Sequence, residues 1–235
     1  LIPYCSPVVL PTIEQSYTSV INWFVNRQCK IRSLMLRLPG DNPCLHVKNL
    51  HVDYFDLQIH SNTAIEELIK YLLEKNLGYK VNTIYVDGNQ NREVMEQLSA
   101  YTGNVKQLKM HSALNCMEWL SVDILARWNL TEISLQTVTV TASFLTLIVQ
   151  TCTELTDIKL DSNSIDDAAV IAIAEQCPKL ETLYIESTII TVASILALSE
   201  RGLPLEELDI PRIPSPSVEI AAQCAHALSR IRGIF

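Results

Sequence analysis

Aliphatic residues recur along this chain in the order L-x-x-L-x-L, with Ile, Val and Met standing in for Leu. The pattern occupies Val105-Leu108-Met110, Leu130-Ile133-Leu135, Leu155-Ile158-Leu160, Leu180-Leu183-Ile185 and Leu205-Leu208-Ile210, each copy starting 25 residues after the last. Upstream, Val81-Ile84-Val86 fits at a spacing of 24, and Ile31-Leu34-Leu36 and Val47-Leu50-Val52 fit more loosely; downstream, Ile231 and Ile234 open a further copy. The alternation within each copy predicts a short strand with one apolar face. A period of this length marks a repeat architecture.

Other columns keep the same beat. Leu120, Leu145, Val170, Ile195 and Ile220 lie 15 residues after each start. Within 167–177, Val170, Ile173, Ala174 and Cys177 fall on one helical face, and 192–201 has the same period. Thr141, Asp166 and Thr191 precede these segments, where a side-chain oxygen caps free N–H groups. Cys152 and Cys177 recur three residues before the strand leucine. Neither strand nor helix can bury its apolar side alone, so stability must come from stacking one unit on the next. The expected fold is an α/β solenoid, with a curved parallel sheet on the concave side and helices on the convex side.

The whole chain, 1–235, reads as a single domain. Residues 1–46 form an amino-terminal cap and a first degenerate repeat; within them Ile13–Gln28 has the period of an amphipathic helix. Residues 47–104 hold irregular repeats, with a helix expected over Ala64–Lys75 and an inserted loop near Phe55–Asn62. Residues 105–235 hold the regular repeats. Pro214 and Pro216 mark a turn, with Pro216 suited to open a helix.

The unit Cys152-Thr-Glu-Leu155-Thr-Asp-Ile158-Lys-Leu160-Asp-Ser-Asn163 and its successor Cys177-Pro-Lys-Leu180-Glu-Thr-Leu183-Tyr-Ile185 resemble the cysteine-containing leucine-rich repeat. That repeat type is familiar from the F-box and leucine-rich-repeat substrate receptors of ubiquitin ligases. The resemblance covers 105–235 well and 31–104 loosely. It implies a leucine-rich-repeat solenoid and a protein-binding role, as the recognition region of such an adaptor. No F-box pattern is legible at the amino end. A scaffold segment of a larger assembly and a secreted or host-directed binding protein are the competing expectations.

Composition narrows the partner. The chain carries 18 Lys and Arg against 26 Asp and Glu, a net charge of −8. That balance disfavours nucleic acid and anionic membrane, because phosphate binding needs clustered basic residues. Apolar runs fall short of a bilayer span. Seven cysteines, an odd number at wide spacings, read as reduced thiols, which points to a cytoplasmic or nuclear protein. The sequon Asn129-Leu130-Thr131 is expected to be unused.

Candidate chemistry is sparse. Cys44, His46 and His51 lack a matching ligand cluster, so neither a metal nor a cofactor is expected. His111, Ser134 and Glu132 could be imagined as a triad, but an open solenoid face does not exclude water, so no catalysis is expected. The informative surface is the outward side of the strands. The expected partner-binding residues there are Lys109, His111, Glu132, Gln136, Asp157, Lys159, Asp161, Tyr184, Glu186, Glu207, Asp209 and Arg212. Carboxylates gather toward the carboxyl half, with Tyr184 among them as an amphipathic anchor; a basic protein partner would be complementary. The repeat opened by Ile231 is expected to leave an apolar edge, so that either the protein continues beyond it or the edge pairs with another chain, self-association being one such pairing.

Overall fold

The computed structural model describes residues 4–5, 30–38, 52–59, 65–74, 78–113, 116–138, 140–161, 165–186, 190–210 and 233–234. Among them the elements in chain order, with helices separating successive strands from β3 to β9, are β1 (Tyr4–Cys5), β2 (Lys30–Leu38), β3 (Val52–Ile59), α1 (Ile65–Glu74), β4 (Val81–Asp87), α2 (Arg92–Tyr101), β5 (Gln107–His111), α3 (Cys116–Trp119), α4 (Val122–Arg127), β6 (Glu132–Gln136), α5 (Ala142–Thr151), β7 (Asp157–Asp161), α6 (Asp167–Gln176), β8 (Thr182–Glu186), α7 (Val192–Glu200), β9 (Glu207–Asp209) and β10 (Gly233–Ile234). The strands form one sheet in chain order, each parallel to the next. This is an α/β fold with an all-parallel sheet and a repeating strand–helix unit.

The strand leucine column is in register: Leu57, Ile84, Leu108, Ile133, Ile158, Leu183 and Leu208 pair successively across the sheet. All seven are buried, together with Leu120, Leu145, Val170, Ile173 and Leu198 from the segments that follow the strands. Burying an aliphatic side chain of this size contributes about 1.5–3 kcal/mol, and successive helices also pack on one another. A second ladder precedes the strands. Lys106 N–H bonds to Asn82 C=O, Thr131 to Lys106, Thr156 to Thr131, Glu181 to Thr156 and Glu206 to Glu181, each at 2.8 Å. Backbone groups at the entry to each strand are thus satisfied by the preceding repeat.

Helix starts follow the sequence reading. Thr141, Asp166 and Thr191 sit as N-caps, accepting from Phe144, Ala169 and Ala193. The cysteine column proves to be a C-cap column, and Thr102 continues it upstream; the C-cap of the intervening repeat, Trp128, lies one residue later. Just beyond β4, β5 and β6 stand Gly88, Ser112 and Thr137, all with positive φ. The Gly88 and Ser112 N–H groups bond to His111 and Gln136 of the following repeat.

The first repeats differ from expectation. Phe55–Asn62 is not an inserted loop at its start: Phe55, Leu57 and Ile59 lie in β3 and are buried. Leu57 and Ile59 pair with Ile84 and Val86, so they hold the places expected of Leu50 and Val52. Leu36 and Leu38 pair in turn with Leu57 and Ile59, displacing Leu34 and Leu36 by two residues. These strands are nine and eight residues long, against five in β5 to β8. Several apolar triplets therefore fit the pattern, and strand pairing chooses among them. A bulge between Phe55 and Asp56 absorbs one residue of β4. The expected helix over Ala64–Lys75 is α1. Ile13–Gln28, Leu50, Pro216 and Ile220 lie outside the described residues. No helix among the described residues is long and apolar enough to cross a membrane.

Candidate functional site

One face of the sheet is covered by helices and the other carries polar rows. Because side chains alternate along a strand, and because the repeats are in register, three rows run across the open face. The first contains Thr83, Gln107, Glu132, Asp157, Thr182 and Glu207; the second Tyr85, Lys109, Ser134, Lys159, Tyr184 and Asp209; the third Asp87, His111, Gln136, Asp161 and Glu186. Every residue in a row comes from a different repeat.

The carboxyl half of this face holds a hollow of about 430 Å³. Its lining includes Gln136, Lys159, Asp161, Tyr184, Glu186, Glu207 and Asp209, seven of the residues read from the sequence, and also Thr182. Among the described residues of the lining, four carboxylates face one ammonium group. Tyr184 is central: Lys159 and Asp209 flank it in register, and Asp161 and Glu186 occupy the next row. Its hydroxyl donates to Glu186 Oε2 at 3.1 Å. That hydrogen bond, with burial and the charges of Glu186, Asp209 and Asp161, raises the phenol above its ordinary value.

The remaining candidates lie elsewhere on the face. Lys109 pairs with Glu132 at 3.1 Å. Asp157 accepts from the Thr156 hydroxyl at 2.6 Å and does not line the hollow. His111 Nδ1 lies 3.3 Å from Asp87 Oδ1 and 3.0 Å from Ser112 Oγ. His111 and Glu132 thus have other partners, and Ser134, which alternation places outward, is buried. Asp87 was missed by the sequence reading, although its spacing of 24 from His111 carries the repeat signal. Arg212 lies outside the described residues, as do Cys44, His46 and His51.

The buried thiols have a different character. Cys116, Cys152 and Cys177 are buried thiols. Burial pushes Cys152 and Cys177 up to about 12, Cys177 with a smaller contribution from Cys152. Reactive thiols need the thiolate near neutral pH, so these two are packing groups. Asn129 is exposed. The chain matches no protein-family model and no curated protein sequence.

Proposed function

We propose that this chain is a leucine-rich-repeat solenoid that binds another protein through the open face of its sheet, as the recognition region of an F-box-like ubiquitin-ligase adaptor does. The observation that carries the reading is the hollow around Tyr184, where side chains from β6, β7, β8 and β9 converge on one half-buried aromatic ring. An aromatic anchor within a polar rim is the usual composition of a protein-binding surface. Its acidic balance makes a basic partner complementary. The C-cap cysteines Cys152 and Cys177 support the repeat type, and through it the adaptor setting.

Affinity capture with quantitative mass spectrometry tests the surface. A variant combining Asp161→Lys and Glu186→Lys should lose the partners that the parent chain enriches. A helix-side control, Glu175→Lys, should retain them, because Glu175 lies on α6 away from the open face. Equal enrichment by the parent and the double variant would overturn the proposal.

A further inference from the structure

From the surroundings of Tyr184 we infer that the hollow receives an arginine side chain of the partner protein, stacked on the tyrosine ring and paired with the carboxylates around it. The inference rests on the reading of the open face as a protein-binding surface and specifies the group that surface takes.

Three observations lead to it. Three carboxylates stand near Tyr184: Glu186 two residues along β8, Asp209 in the tyrosine's own row on β9, and Asp161 diagonally across on β7, beside Glu186. Among the described residues that line the hollow, Lys159 beside Tyr184 on β7 is the one cation that offsets them, and the uncharged Thr182 lies on the remaining side. The hollow therefore favours a cation.

The spacing then selects the kind of cation. Adjacent strands lie about 4.8 Å apart and alternate residues of a strand about 6.7 Å apart. Carboxylates spread over such distances do not close around a small ion, and among the described residues no group of three potential ligands could hold a metal. A planar guanidinium, with five N–H donors in a fixed fork, can bond to more than one carboxylate at once. An ammonium group meets the same field only as a point charge.

The ring supplies the third argument. The hydroxyl of Tyr184 is tied to Glu186 on its own strand, so the ring leans along β8 and stays half-exposed in the hollow. A guanidinium stacks on an aromatic face, and loses less hydration than an ammonium when it does so. Charge alone would welcome lysine and arginine equally; charge beside a fixed aromatic face favours arginine.

The test uses the whole chain and two fluorescein-labelled Gly-Ser peptides, identical except that one carries two arginines and the other two lysines. Fluorescence anisotropy is read at 0.15 M salt. The arginine peptide should bind about two- to fivefold more tightly. Tyr184→Ala should erase that preference, while Tyr184→Phe, which keeps the ring, should retain it. Glu186→Gln and Asp161→Asn should weaken both peptides, and Lys159→Ala should strengthen both. Circular dichroism establishes that each variant is folded. Equal binding of the two peptides to the parent chain, binding of neither, or a preference that survives Tyr184→Ala would overturn the inference. If the preference is absent while the charge-reversed double variant still loses its captured partners, the arginine site falls and the protein-binding reading stands.

Discussion

The carboxylate of Asp167, in the first turn of α6, accepts the backbone N–H of Thr191 at 2.7 Å and its hydroxyl at 2.6 Å. Thr191 is the N-cap of α7, so one helix start is tied to the next. The Ser194 hydroxyl adds a third bond at 2.5 Å. Partial burial works to raise the Asp167 carboxyl, but the bonds from Ser194 and Thr191 outweigh it and leave the group below its ordinary value. A depressed carboxyl stabilises the fold above the ordinary carboxylate range, and that contribution is lost as pH falls through the folded-state value. Asp167→Ala should cost about 1–3 kcal/mol at neutral pH. Urea unfolding of parent and variant should show the gap narrowing as the pH is lowered; a gap independent of pH would refute the assignment.

Gly78 precedes β4 in a short 3-10 turn and packs against the end of α2. A Cβ built there would lie 1.8 Å from the Tyr101 carbonyl oxygen and 2.9 Å from its carbon. Both are backbone atoms and cannot swing away. Gly78→Ala should therefore destabilise by about 3 kcal/mol or more. Gly103→Ala is the control: its added methyl meets nothing closer than 3.9 Å, and its effect should be within about 0.5 kcal/mol. Thermal melts of the two variants separate these outcomes.

Trp128 Nε1–H donates to Thr102 Oγ1 at 3.2 Å in a buried pair that joins two successive C-caps. The threonine hydroxyl donates onward to Leu98 C=O at 2.8 Å. Thr102→Val keeps the shape and removes the acceptor, leaving a buried indole N–H without its partner. The expected cost is about 1–3 kcal/mol. In a double-mutant cycle, Trp128→Phe should make the Thr102→Val change markedly less costly; strictly additive losses would show that the bond is not what couples them.

Cys152 and Cys177 titrate near 12, against an ordinary value of 9.0, chiefly through burial. The folded chain keeps protons that the unfolded chain releases. Stability from these thiols is present below about pH 9 and declines as pH rises toward 12, by up to about 1.4 kcal/mol per pH unit for each. Replacing both with Ala should flatten the alkaline limb of the stability profile, although the parent is the more stable at neutral pH. Peptide mapping after iodoacetamide at pH 8 should find both unmodified in the native chain and modified in urea. Rapid native labelling at either position would contradict this picture.

Much of the architecture was legible because it is local. A five-residue strand carries only one apolar pair, as Ile158 and Leu160 do in β7, so its buried face follows from alternation. A threonine or aspartate before an apolar helical segment has one obvious use, and Thr141, Asp166 and Thr191 serve it. The long strands β2 and β3 were misread for the converse reason: they hold apolar residues at too many positions, and their register depends on the partner strand. Alternation places Ser134 outward, yet it is buried. Its burial reflects its neighbours, which the alternation does not encode.

The period of 25 residues by itself determined the unit, the buried columns and the row to which each outward side chain belongs, since those depend on backbone geometry repeated along one chain. The tertiary structure decided what the rows do. Tyr184 acquires three neighbouring carboxylates only because β7, β8 and β9 pair without slippage, and Gly78 is indispensable only because Tyr101 closes on it. Such contacts join residues separated by about one repeat, and their geometry is fixed when hydrogen bonding and apolar burial select one register for the whole sheet.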